Sequence, residues 1–167
     1  DAPATARLRE AGCVFLGKTT MPEYGWKGVG DSPLSGITRN PWDVSTGPGG
    51  SSSGAAVAAA LNLGCIHLGT DGAGSVRIPA AFCGAFGLKP TYGRVPAWPA
   101  SVMGFLAHLG PLTRTVRDSA LAMNAIGRPD ARDMTAFKDM PPDFTAGLDR
   151  GVRGLRIAWS ARLGGDA

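Results

Sequence analysis

GGSSSGAAVAAALNLGCIHLGTDGAGSVR, residues 49–77, holds two glycine-framed serine segments separated by two apolar runs. The first segment, GGSSSG at 49–54, sets Ser51, Ser52 and Ser53 side by side. The alanines and Val57 that follow fall on every side of a 3.6-residue period, which predicts a helix buried all round. Ser53 stands at the start of that helix, where a hydroxyl commonly caps free amides. Residues 66–70, IHLGT, read as a buried strand, and DGAGS reads as the turn that ends it. Helices alternating with strands predict an α/β fold.

Three readings compete for the glycine-rich loop. Gly49 and Gly54 have the spacing of a phosphate-binding loop, but Ala55 and Ala56 stand where the lysine and the magnesium-binding hydroxyl belong. The dinucleotide pattern fails too, since counting from Gly47 reaches Ser52 and from Gly72 reaches Arg77 where glycine is needed. Gly50 to Gly54 fits the G-x-S-x-G nucleophile elbow, with Asp71 and His108 following in triad order. An elbow needs a strand directly before it, and Pro48 argues against a central strand there. The third reading pairs the loop with residues 70–77. Gly72, Ala73 and Gly74 can aim successive N–H groups at one point, with Ser75 at its edge. A hydroxyl beside converging donors is what acyl transfer requires. By itself, TDGAGS is also an ordinary tight turn.

Around this centre, residues 4–11 predict a helix closed by Gly12, and CVFLG at 13–17 predicts a strand. Residues 20–50 are a long Gly/Pro/Ser/Thr-rich loop, a length that usually accompanies function. VRIPAAFCGAFG is expected to be short and tightly packed, and GLKPTYGRVP to be loop. Residues 116–126 predict an amphipathic helix with Leu121, Met123 and Ile126 inward, stopped by Gly127 and Pro129. Residues 130–153 are polar and Pro-broken surface, and GLRIAWS at 154–160 predicts a further strand. The chain opens at Asp1 within a helical pattern and closes on a loose GGDA, so a piece of a longer protein is expected.

Composition narrows the function. Hydrophobic residues make up 44% of the 167 and charged ones 18%, enough apolar material for a core. A net charge of +4 comes from scattered arginines without interleaved aromatics, so no direct nucleic-acid binding is expected. Ala55 to Leu63, the longest apolar stretch, is far short of the roughly 20 residues a membrane span needs. Cys13, Cys65 and Cys83 fit neither a disulfide framework nor a metal site, and Cys13 and Cys65 read as buried small hydrophobes in a reducing, cytoplasmic setting. No cofactor and no metal is expected.

The stretch GGSSSGAAVAAALNLGCIHLGTDGAGSVRIPAAFCGAFGLKPTYGRVP, with GKTTMPEYG and NPWD before it, resembles the amidase signature family, amide hydrolases with a Ser–Ser–Lys triad. The likeness covers nearly all of residues 5–127, with its motif core at 47–96. It implies an amidase-signature α/β fold, a mixed sheet flanked by helices, of which residues 1–167 are an incomplete central part. It also implies roles for particular residues. Ser75 matches the nucleophile, and Ser51 the bridging serine, whose peptide with Gly50 is cis in the family. Ser52, Asp71 and Arg77 match supporting residues, and the N–H groups of Gly72, Ala73, Gly74 and Ser75 match the oxyanion hole. Gly25 and Trp26 match positions near the acyl pocket, with ordinary aromatic packing an equal reading for Trp26, and Met103 and Phe105 are expected along the substrate path. Trp42 and His67 read as structural, and His108 has no acid–base role in the family pattern.

One family element is not among these residues. The triad lysine sits upstream in a Lys-Asp motif, whereas the lysines here are Lys18, Lys27, Lys89 and Lys138. Lys18 and Lys89 match other family positions, read as structural or surface. The chain alone is therefore expected to be inactive. The resemblance implies a stand-alone amidase acting on a small-molecule amide, with a homodimer as one arrangement. An amidotransferase subunit that frees ammonia from glutamine for charged tRNA is the alternative. Ala55 departs from the serine expected there in that subunit. A non-catalytic remnant that serves as a binding module is the third reading.

Overall fold

The computed structural model describes residues 1–160. Helix α1 spans Pro3–Glu10, and two-residue strands β1 (Asp31–Ser32) and β2 (Gly36–Ile37) form a small antiparallel hairpin. Helix α2, Ser53–Ala60, precedes strand β3, His67–Asp71. Helix α3 is Arg77–Cys83 and strand β4 is Phe86–Gly87. Strand β5, His108–Thr113, runs in the middle of a sheet ordered β3-β5-β4, antiparallel to both neighbours. Helix α4 is Val116–Ile126. The mixed α/β architecture agrees with the expectation from sequence.

Alternation along β3 and β5 sorts side chains to two faces. Leu112 faces α2 and α3, within a cluster of small residues that includes Ala55, Ala56, Ala59, Val76, Ala80 and Cys83. Gly69 shares that face, and a Cβ there would fall 2.8 Å from Leu112 Cδ1. Leu68 and Leu109 face the other way, onto Leu8 of α1 and Met123 and Ile126 of α4. The sheet is thus sandwiched between α2/α3 and α1/α4. Alanine-rich α2 can lie close to the sheet because its side chains are small.

Helix α4 has the boundaries the pattern predicts. Thr115 Oγ1 accepts from the Asp118 N–H at 3.0 Å and donates to the Asp118 carboxylate at 2.7 Å, a cap that fixes its start. Leu121, expected inward, is 52% exposed, and Ser119, Ala120 and Ala122 join Met123 and Ile126 inside instead. Both outer strand predictions are overturned. Residues 13–17 and 154–160 form no strand among the described residues, with Val14, Leu16, Ile157 and Trp159 exposed. Apolar, β-prone side chains make a strand only where a neighbouring backbone is available to pair. Cys83 is buried, but Cys65 is exposed rather than buried and Cys13 lies in between.

Candidate active site

Residues 49–53 form the first wall of the site. Gly49 has φ +76°, and the Gly50–Ser51 peptide is cis. The chain presses so closely on residues 28 and 29 that a Cβ at Gly50 would meet Val29 O at 2.6 Å and Val29 N at 2.8 Å, so only glycine fits. Ser51 is buried at the cavity edge. Ser52 precedes the helix, and its N–H donates to the Ser75 carbonyl at 3.1 Å. Ser52 Oγ lies 3.5 Å from the Thr70 carbonyl. Ser53 does not cap α2 as expected. It is fully buried, and its hydroxyl donates back to the Gly49 carbonyl at 2.8 Å, tying the loop to itself.

The second wall starts where β3 ends. Asp71 is fully buried and accepts from the N–H groups of Gly74 (2.7 Å), Val76 (3.2 Å) and Arg77 (3.3 Å). The Arg77 guanidinium binds both carboxylate oxygens, each at 3.0 Å. Burial pushes this carboxyl's pKa up, but the Arg77 hydrogen bonds and the three amides outweigh it and hold the group well below the usual carboxylate range. Lys89 Nζ lies 3.4 Å from Asp71 Oδ1 and donates to the Gly72 carbonyl at 3.0 Å. The turn's shape thus follows from one buried negative charge.

The turn's amides are of two kinds. The Gly74 N–H is committed to Asp71. The N–H groups of Gly72, Ala73 and Ser75 have no hydrogen-bond partner among the described residues. Those three residues also line a cavity of about 540 Å³, shared with Gly50 and Ser51 from the other wall. The hydroxyls of Ser51 and Ser75 likewise have no hydrogen bond among the described residues, to each other or to a third group.

Gly25, Trp26 and Met103 border the same cavity, whereas Phe105 does not. A Cβ on Gly25, whose φ is +71°, would come 3.5 Å from Ser51 Oγ, so the 20–50 loop closes on the serine. Trp42 holds structure, its indole N–H donating to the Cys83 carbonyl at 2.6 Å. His67 Nε2 lies 3.1 Å from the Leu63 carbonyl, while its buried Nδ1 has no partner among the described residues. His108 borders the cavity with Nδ1 2.8 Å from the Leu106 carbonyl. The sequence reading passed over Lys27, which reaches the cavity with its ammonium on Asp31 at 2.9 Å. Nothing in the local sequence marks it. Among the described residues no helix is long and apolar enough to cross a membrane.

A family model described as Amidase matches residues 1–167. The chain is 46% identical over 158 residues to a glutamyl-tRNA(Gln) amidotransferase subunit of Syntrophobacter fumaroxidans, covering 94% of this chain and 32% of that protein. It is 45% identical over 165 residues to an acylamidase of Rhodococcus erythropolis, covering 98% of this chain and 35% of that one. Among solved structures, a bacterial aryl acylamidase of the amidase signature family superposes with a TM-score of 0.84 at 40% identity, covering 92% of this chain and 32% of its own. The chain therefore spans about a third of the length of the relatives it matches.

Proposed function

This chain belongs to the amidase signature family, and from that premise we propose that the protein carrying it hydrolyses a carboxylic amide to an acid and ammonia or an amine. Ser75 is the nucleophile and Ser51 the bridge. The observation that carries this reading is the bond from the Ser52 N–H to the Ser75 carbonyl, 3.1 Å, which clasps the two serine loops at one cavity. Ser75 Oγ attacks the amide carbon while its proton passes to Ser51, whose own proton goes to a neutral lysine outside these 167 residues. The lysine raises the nucleophilicity of a hydroxyl that is weak by itself. Negative charge collects on the former carbonyl oxygen and is held by the N–H groups of Gly72, Ala73 and Ser75. Collapse returns the proton to the departing nitrogen, and water then cleaves the acyl-enzyme by the same relay.

Neither lysine near the cavity suits the role of base. Lys89 and Lys27 are both engaged as cations with carboxylates. The 167 residues are accordingly read as part of one longer amidase domain. Three free cysteines agree with work in the cytoplasm. The test is a fluorophosphonate label and an aryl-amide assay on the protein carrying this chain. Ser75→Ala is expected to lose both, and Ser51→Ala to fall by about 10²–10⁴-fold. Labelling that survives Ser75→Ala would overturn the assignment.

A second reading is favoured by the 46% identity to the amidotransferase relative, slightly above the 45% to the acylamidase. It makes glutamine the amide and a tRNA-charging complex the consumer of ammonia. Ala55 weighs toward the stand-alone amidase. Comparing ammonia release from glutamine with release from an aryl amide separates the two.

A further inference from the structure

The geometry points to Lys89 as the positioning residue that turns the Ala73 N–H toward the cavity, an inference that rests on Ser75 being the nucleophile. Every peptide in the turn is trans, because the cis bonds are only Gly50–Ser51 and Trp98–Pro99 among the described residues. In a trans peptide the C=O and N–H point in opposite directions. The Gly72 carbonyl and the Ala73 N–H belong to one such peptide. Lys89 Nζ grips that carbonyl at 3.0 Å from behind, so the Ala73 N–H is turned to the opposite side. Ala73 lines the cavity, and its N–H has no other partner among the described residues.

Without that grip the peptide is free to rotate, because Gly72 imposes little restriction on its own torsions. A rotated peptide would aim a carbonyl oxygen at the place where negative charge must develop. The lysine is not needed merely to neutralise Asp71. Arg77 already binds both oxygens of that carboxylate at 3.0 Å, and three amides complete its shell. The Lys89 contact with Asp71, 3.4 Å, is also longer than its contact with the carbonyl. The Lys89 side chain is 21% exposed, so its ammonium is held largely out of water against that carbonyl. Its root is fixed as well: the Leu88 N–H is bonded to the Pro111 carbonyl of β5 at 3.1 Å, and buried Pro90 follows directly.

The experiment compares Lys89→Met and Lys89→Arg with wild type in the protein carrying this chain. The readouts are aryl-amide kinetics, inhibition by a trifluoromethyl ketone that forms an oxyanion on Ser75, and binding of the carboxylate product. For Lys89→Met, kcat is expected to fall about 100-fold, near the lower end of the loss of one oxyanion donor, with KM moving less than about twofold. Affinity for the ketone falls by the same factor, and product binding stays. Lys89→Arg recovers at least part of both losses. If ketone and product weaken equally, or if neither moves in a folded variant, the role is overturned. Should Lys89→Met not fold, Lys89→Gln replaces it under the same criteria: a loss confined to kcat and the ketone supports the role, and a shared loss or none overturns it. Turnover that survives Ser75→Ala overturns the nucleophile and this role with it. Intact Ser75 dependence with unmoved ketone affinity overturns only Lys89.

Discussion

The loops at 49–53 and 71–77 use the same residue types, glycine and serine, at the same cavity, yet different forces hold them. The first carries no charge. Its path is set by volume, with Gly50 wedged against the Val29 backbone and Ser53 tied to Gly49. The second is gathered around the buried Asp71 carboxylate by amides, a guanidinium and an ammonium. A wall fixed by contact should resist salt and acid but not added atoms. A wall fixed by charge should tolerate small changes of volume but not the loss of its anion.

The largest test of this contrast is Asp71→Ala. It leaves Arg77 and Lys89 without their common partner and strands the amides of Gly74 and Val76. A loss of about 3–5 kcal/mol is expected in urea denaturation, and a change under about 1 kcal/mol, the worth of one ordinary hydrogen bond, would break the contrast. Acid should act on the same wall. Folding lowers the Asp71 pKa, so its stabilisation is complete above the ordinary carboxylate value of 3.8 and is lost as pH falls below it. An acid transition that vanishes in Asp71→Asn would sharpen the point. Gly50→Ala comes next, about 1–3 kcal/mol from overpacking against backbone, with the deficit unchanged between low and high salt. The smallest is Ser53→Ala, about 1 kcal/mol for one buried hydrogen bond. Fluorophosphonate labelling of Ser75 should keep its wild-type rate there, and a slowed rate would mean that Ser53 shapes the reactive geometry as well.

Elements governed by local rules were legible in the sequence. Helix α4 has its capping Thr115, its 3.6-residue apolar spacing and its stop at Gly127, all within a short window. The sequence analysis makes no prediction for strand β5, the middle of the sheet, where Gly110 and Pro111 are residues that weaken a strand pattern. The structure tolerates the proline for a local reason. N–H and C=O of one strand residue face the same neighbour, and on that side the Pro111 carbonyl receives the Leu88 N–H. Only one of the two bonds of that pair can form, and β4 ends at Gly87, one residue earlier. The opposite error occurred at 13–17 and 154–160, where composition favoured strands that do not form among the described residues. At the site, the two serine segments stood out as motifs, but the engagement of Gly74 and the grip of Lys89 did not. Both depend on where a side chain ends in space, and Lys89 reaches a carbonyl 17 positions away in the chain.

The three sulfurs carry a practical consequence. Cys65 faces water in the bend between α2 and β3, whereas Cys83 is sealed in the core, with burial pushing its thiol up to about 11. A maleimide dye should therefore mark the bend within minutes and leave the interior silent until the molecule opens. Counting how many sulfurs react over time would clock breathing of the small-residue layer in the native protein, with no engineered reporter.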